Sequence, residues 1–178
     1  KIKIAIARAG NVIGGGDWSQ DRLVPDCIKF TLRKKKVIIR NPNSTRPWQH
    51  VLDILNGYLT LAKHLNNKPK INGHAFNFGP RGKVLKVIEV VKEMKKNWSE
   101  INYKIIKTSN FKEAKLLRLN TQKAQNKLKW KCILNFNLII KFTTDWYFNY
   151  SKNKKNLEKF SIDQIHLFEK LKWKKNPK

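Results

Sequence analysis

An apolar strand running straight into a glycine-rich turn constrains this chain more than any other feature. Ile2–Ala7 alternates isoleucine with Lys or Ala, and Gly10-Asn11-Val12-Ile13-Gly14-Gly15-Gly16-Asp17-Trp18 comes soon after. In an open α/β sheet such a junction lies at the carboxyl end of a strand, where these sheets hold ligands. Glycine at 10, 14, 15 and 16 removes Cβ atoms, so backbone N–H groups can come close to a bound molecule. Asn11 adds a donor and an acceptor at the turn. Ile2, Ile4, Ile6 and Val12 are expected to form a mostly buried strand. The turn is neither a G-x-G-x-x-G fingerprint nor a phosphate loop, because the glycine spacing differs and no Gly-Lys-Ser/Thr follows. No initiator Met, signal peptide or earlier strand precedes it, so the sequence is expected to be the carboxyl-terminal part of a larger protein.

Charge has to be weighed next. The chain has 39 Lys+Arg against 12 Asp+Glu, a net charge of +27. Alone, that points to nucleic acid or an anionic surface. Three observations weigh against it. Thirty-two of the basic residues are Lys and seven are Arg, whereas phosphate readers favour the Arg fork. The charge is spread along the chain, with 14 basic and 4 acidic residues in 1–80 and 25 and 8 in 81–178. Asn and Ile are also abundant, as an A+T-rich coding sequence would give. A Lys-rich solvated surface is therefore expected, with no specific nucleic-acid partner. Cys27 and Cys132 lie far apart without metal or redox spacing. They read as reduced thiols of a cytoplasmic protein. No apolar run nears the roughly 18 residues of a membrane span.

The remaining pattern alternates strands and helices, which gives an α/β fold. Asp21 is expected to cap a helix over Leu23–Leu32, with Pro25 in its first turn. Val37–Ile39 reads as a strand, Gln49–Val51 as a brief extended piece and Asp53–Leu65 as an amphipathic helix. Phe76–Phe78 and Tyr103–Ile106 read as strands. Val84–Trp98 carries apolar residues at 84, 87, 88, 91 and 94, a helical spacing. Thr121 is expected to cap a short helix to Leu128. Asn137–Tyr150 and Leu157–Trp173 read as helices, separated by the Lys/Asn-rich hinge Ser151–Asn156.

A resemblance now adds to these readings. Ala7-Arg8-Ala9-Gly10-Asn11-Val12-Ile13-Gly14-Gly15-Gly16-Asp17-Trp18 resembles the last Rossmann strand and following loop of the extended short-chain dehydrogenase/reductases. Asp21-Arg22-Leu23-Val24-Pro25-Asp26, Arg40-Asn41-Pro42 and Thr45-Arg46-Pro47-Trp48-Gln49-His50-Val51-Leu52 follow in order. So do Ala75-Phe76-Asn77-Phe78-Gly79-Pro80, Leu117-Arg118-Leu119-Asn120, Leu128-Lys129-Trp130 and Asp145-Trp146-Tyr147. Within that superfamily the set is similar to the CDP-glucose 4,6-dehydratase family, with Arg-Pro-Trp-Gln-His the most specific run. Other nucleotide-sugar dehydratases and epimerases share the broader pattern and stay open as alternatives. A basic nucleic-acid-binding module remains the rival from a different class.

The resemblance implies an organisation and a site. Residues 1–18 would be the last strand of a Rossmann-type sheet and its ligand loop, 19–150 the small α/β substrate-binding domain, and 151–178 a helical extension. The substrate would be a nucleotide sugar, the cofactor NAD, held mainly by an amino-terminal domain, and the full-length enzyme a homo-oligomer. Arg46, in a polar turn, would contact the diphosphate, since a guanidinium fork matches phosphate oxygens. Arg118 would be a second ligand, and Arg22 belongs to the same set. Asn11 would approach the sugar-phosphate side. Leu23, Val24 and Pro25 would line the base or ribose, and the backbone of Ala9 and Gly10 would pass near the nicotinamide. His50 reads as a hydrogen-bonded structural residue.

The implied reaction oxidises C4 of the glucosyl unit, eliminates water across C5–C6 and returns hydride to C6. A Tyr-x-x-x-Lys pair supplies the base. Tyr103/Lys107 and Tyr150/Lys154 match formally, but with 32 lysines in 178 residues roughly one position in six is Lys by chance. The first pair lies in a β-branched stretch, where residues four apart stand about 13 Å apart. The second lies past the expected end of a helix. No catalytic residue is therefore expected in this chain.

Overall fold

The computed structural model describes residues 2–80, 84–106 and 119–175. Strand β1 is Ile6–Ala9, and β2, Asn11–Ile13, follows after one residue. Helix α1, Leu23–Leu32, leads through a tight turn to β3, Val37–Ile39. Then come β4, Thr45–Arg46, β5, Trp48–His50, and α2, Val51–Asn67. Strands β6, Ala75–Phe78, and β7, Leu85–Lys86, precede α3, Val87–Asn97, and β8, Tyr103–Ile105. Helices α4, Gln122–Leu128, α5, Phe136–Lys152, and α6, Leu157–Lys175, complete the described chain.

The strands pair two by two. β1–β6, β2–β5 and β3–β8 are parallel, and β4–β7 is antiparallel. Register explains why β1 starts later than Ile2. Its ladder begins at Ile6↔Ala75, where β6 begins. Upstream, the chain bonds to a turn instead: Gly73 N–H donates to the Ile4 carbonyl at 2.7 Å and Ile4 N–H to Asn72 Oδ1 at 2.7 Å.

The expectation of a mostly buried strand is corrected for its isoleucines. Ile2, Ile4 and Ile6 are 84, 61 and 55% exposed. Side chains alternate along a strand. Ala5, Ala7 and Ala9 therefore take the inner face, against Ile54, Phe76 and Phe78, and the isoleucines point the other way. Close packing of α2 on β6 fits Gly57, where a Cβ would stand 2.6 Å from the Phe78 ring.

Several helix starts differ from the sequence expectation. Arg22, not Asp21, is the residue before α1, and no side chain caps it. Asp21 has φ +56°, so it forms a left-handed corner. Pro25 does sit in the first turn, where it needs no N–H. His50 caps α2, its Nδ1 accepting from Leu52 N–H at 3.3 Å, so that helix starts two residues before Asp53. Residues 85–86 pair with β4 instead of joining α3. Asn120 Oδ1, not Thr121, accepts the Gln122 N–H of α4. Asn135 caps α5 through Leu138 N–H.

Two buried clusters result. One gathers Ile28, Val37, Ile39, Val91, Met94 and Tyr147 among α1, β3, α3 and α5. The other lies between β1, β6, α2 and α4. Asp53 ties them: its carboxylate, fully buried, accepts Ile133 N–H at 2.6 Å and Leu134 N–H at 3.2 Å. Helix α6 is held to α5 by Trp146 Nε1–H to Ser161 Oγ at 2.9 Å and Gln164 to the Phe142 carbonyl at 2.7 Å. Its Lys175 donates to the Ile133 carbonyl. Cys27 is buried and Cys132 half-buried, and neither is in a disulfide. No helix among the described residues is long and apolar enough to cross a membrane. Of the Leu117-Arg118-Leu119-Asn120 run, Leu117 and Arg118 lie outside the described residues.

Candidate nucleotide-sugar site

The glycine-rich turn is packed by the chain's own side chains. A Cβ on Gly10 would lie 2.6 Å from Pro47 Cγ, one on Gly14 2.7 Å from Val51 Cγ1, and one on Gly15 2.1 Å from the Trp146 ring. On their Cβ side those three glycines are thus filled by the fold's own side chains. Trp146 stacks on Tyr150 at 5.9 Å, Trp18 meets Tyr150 at 4.9 Å, and Tyr147 Oη–H donates to the Asp17 carbonyl at 2.6 Å. Lys154 Nζ stands 4.7 Å over the Tyr150 ring. The formal Tyr150/Lys154 match is therefore a cation–π contact in this cluster. Tyr103 pairs with Val37 in β8, and Lys107 lies outside the described residues.

A cleft of about 780 Å³ opens between α1, β3 and the start of α3. Leu23, Phe30, Val37, Ile39 and Val87 give it apolar walls. Lys29, Arg33 and Arg40 add cations, and Asp26 adds a half-buried carboxylate. Burial raises the Asp26 pKa above the usual carboxylate value, with Lys29 pulling the other way. A second recess of about 450 Å³ holds Arg46, Trp48, Leu85, Lys131, Phe136 and Lys175. The two lie beside the same short stretch, since Leu85 of β7 lines the second and Val87, two residues on, lines the first.

The residues singled out from the sequence fall in different places. Leu23 lines the cleft. Val24, 2% exposed, is in the core beneath it. Arg22 is exposed, its guanidinium 3.6 Å from the Asp17 carboxylate. Arg46 lines the second recess, its Nη1 donating to the Thr45 carbonyl at 2.8 Å. Ala9 ends β1, Gly10 sits under Pro47, and Asn11 starts β2 opposite Trp48. Arg118 is outside the described residues. Sequence reading missed Asp26, Lys29, Phe30 and Arg33. Their spacing was the available signal: 26, 29, 30 and 33 share one helix face.

Buried titratable groups lie outside the cleft walls. Burial pushes the Cys27 thiol up to about 12 and the His50 imidazole down to about 4. Asp53 is pushed up to about 6 by burial, against the two backbone N–H groups and Lys175. Among the described residues no group of three or more His, Cys, Asp or Glu could hold a metal ion.

Residues 1–79 match the NAD dependent epimerase/dehydratase family. The chain is 42% identical over 131 residues to CDP-glucose 4,6-dehydratase of Salmonella typhimurium, a match covering 72% of this chain and 36% of that one. Among solved structures, UDP-glucuronic acid 4-epimerase from Bacillus cereus superposes with TM-score 0.70 at 20% identity, covering 83% of this chain and 46% of that one. dTDP-glucose 4,6-dehydratase from Bacillus anthracis superposes with TM-score 0.66 at 19% identity, covering 88% and 47%. These superpositions show a shared fold. The chain spans about a third of the curated relative's length and just under half of each solved structure's. Its parallel strand pairs, the glycine-rich turn after β1 and these matches agree: the chain belongs to the NAD-dependent epimerase/dehydratase family.

Proposed function

We propose that this chain is the nucleotide-sugar-binding portion of an NAD-dependent dehydratase that converts CDP-glucose to CDP-4-keto-6-deoxyglucose. The observation that carries this is the α1–β3 cleft. Its volume suits a nucleotide, its walls suit a base and ribose, and Lys29, Arg33 and Arg40 suit phosphates. The 42% identity to a CDP-glucose 4,6-dehydratase supports the substrate. Leu23 lines the base, Val24 holds α1 from the core, and Arg22 and Asn11 edge the site. Arg46, in the adjoining recess, is the diphosphate ligand, and Arg118 a second one. The enzyme to which this portion belongs works as a cytoplasmic homo-oligomer.

NAD supplies hydride acceptance and return in this chemistry. The described residues do not form its cradle. They include no G-x-G-x-x-G turn, and Gly10 is already covered by Pro47. On this reading NAD is held mainly by an amino-terminal domain, with the backbone of Ala9 and Gly10 next to it.

Calorimetry tests the assignment. The chain should bind CDP-glucose, release no 4-keto product, and bind glucose 1-phosphate far more weakly. A charge-assisted hydrogen bond contributes about 1.5–3 kcal/mol, so Arg46→Ala should weaken CDP-glucose by roughly ten- to a hundredfold. Arg46→Lys should recover part of that, because it keeps charge and loses the fork. Unchanged affinity in Arg46→Ala would remove Arg46 from the site. Absence of CDP-glucose binding would sink the assignment of the cleft.

A further inference from the structure

We propose that Lys175, in the last turn of α6, is a phosphate ligand in the recess beside Arg46, so that the carboxyl-terminal helix is part of the substrate site. This rests on the reading of Arg46 as a diphosphate ligand. Its separate ground is where the packing of α6 sends this one lysine. Ser161, Gln164, Phe168 and Leu171 hold the helix to α5 and the core. Residues three and four apart share a helix face, so the series 161, 164, 168, 171 continues to 175. Lys175 is thereby turned inward, and it lines the recess. Lys170 and Lys174 fall on other sides of the helix.

The recess suits an anion. Arg46, Lys131 and Lys175 line it, and no carboxylate does among the described residues. Lys175 Nζ donates to the Ile133 carbonyl. An ammonium has three N–H donors, so this bond fixes the group at the wall while it can still donate inward. Asp53 lies behind that wall, accepting from Ile133 and Leu134 N–H, and its attraction to Lys175 offsets part of the positive charge. Helix α5 starts at the same place. Asn135 and Phe136 line the recess, and a helix start carries partial positive charge. Cations gathered in one recess repel each other, and a phosphate relieves that repulsion. A volume of about 450 Å³ holds such a group with part of an attached sugar.

The test is calorimetry of the chain with CDP-glucose and with inorganic pyrophosphate at pH 7.5 and low salt. The variants are Lys175→Arg, which keeps the charge, Lys175→Gln, which keeps only a donor for the Ile133 carbonyl, and Lys175→Met, which keeps neither. Circular dichroism and a thermal melt check folding, and if Lys175→Met fails to fold, Lys175→Gln against Lys175→Arg decides. Lys175→Arg should bind CDP-glucose within about twofold of the parent. Lys175→Gln and Lys175→Met should each bind it about fivefold more weakly, the effect of one partly exposed charge. Those losses should shrink at about 0.5 M salt. Pyrophosphate should compete with CDP-glucose and weaken by a similar factor in Lys175→Gln.

Parent-like binding by Lys175→Gln with weakened binding by Lys175→Met would make Lys175 a latch for α6 and overturn the proposal. So would unchanged binding in both variants while Arg46→Ala weakens it, which leaves the reading of Arg46 standing. Pyrophosphate binding that depends on Lys175, without CDP-glucose binding, would uphold Lys175 as a ligand of free phosphate and remove the nucleotide sugar. If neither ligand binds the parent, the proposal and the reading of Arg46 fall together.

Discussion

At the level of single residues, His50 and Asp53 show how burial sets chemistry. His50 must stay neutral, because its Nδ1 accepts the Leu52 N–H that starts α2. Burial holds its pKa near 4 against an ordinary 6.5. Its contribution to stability is complete above pH 6.5 and is lost as pH falls through about 4. Asp53, raised to about 6 from 3.8, acts oppositely: it favours the folded state below pH 3.8 and loses that contribution as pH rises through about 6. The two effects oppose each other over the same range. His50→Asn keeps a capping acceptor and removes the titration. By scanning calorimetry the variant should melt below the parent at pH 7.5, and the gap should close by several degrees towards pH 4. A gap constant with pH would show that His50 does not titrate between those limits. The sequence marked His50 as structural and missed Asp53, whose partners Ile133 and Leu134 lie about 80 positions away. Asp26 was visible only as part of a helix, because nothing in the sequence says what α1 faces.

Among the elements, those with strong local periodicity were legible. Helices α1, α2, α3, α5 and α6 lie where the 3.6-residue pattern puts them, and β3, β6 and β8 where β-branched or aromatic runs do. The start of β1 and the existence of β7 were not, since each is decided by a partner distant in sequence: β6 for one, β4 for the other. The glycine-rich turn was recognised, but its neighbour was not, because Trp146 comes 131 positions after Gly15. Gly15→Ala would drive a methyl to 2.1 Å from that indole. Overpacking of this kind costs roughly 1–3 kcal/mol. The variant should melt several degrees lower, and Trp146→Leu should cost less in the Gly15→Ala background than alone. Additive losses would mean the two do not press on one another.

For the whole molecule, charge and exposed apolar surface pull in opposite directions. With a net charge of +27, copies repel one another. Ile2, Ile4 and Ile6 nevertheless stand exposed beside β1, whose only strand partner among the described residues is β6. An open strand edge invites pairing. Screening decides the balance, with a Debye length of about 30 Å at 0.01 M salt and about 3 Å at 1 M. Sedimentation should show monomer at the low salt and larger species at the high. Ile4→Lys should shift that onset to higher salt, and an unchanged onset would place the contact elsewhere.

The grip of α5 on the first turn also has an order in time. Asp17 and Gly15 are made some 130 residues before Tyr147 and Trp146. Over that interval of synthesis the turn exists without the residues that close over it. Contacts spanning such sequence distances form late. The glycine-rich turn therefore takes its final shape only once α5 is available, and a nascent chain released before α5 emerges would carry the turn in an ungripped form.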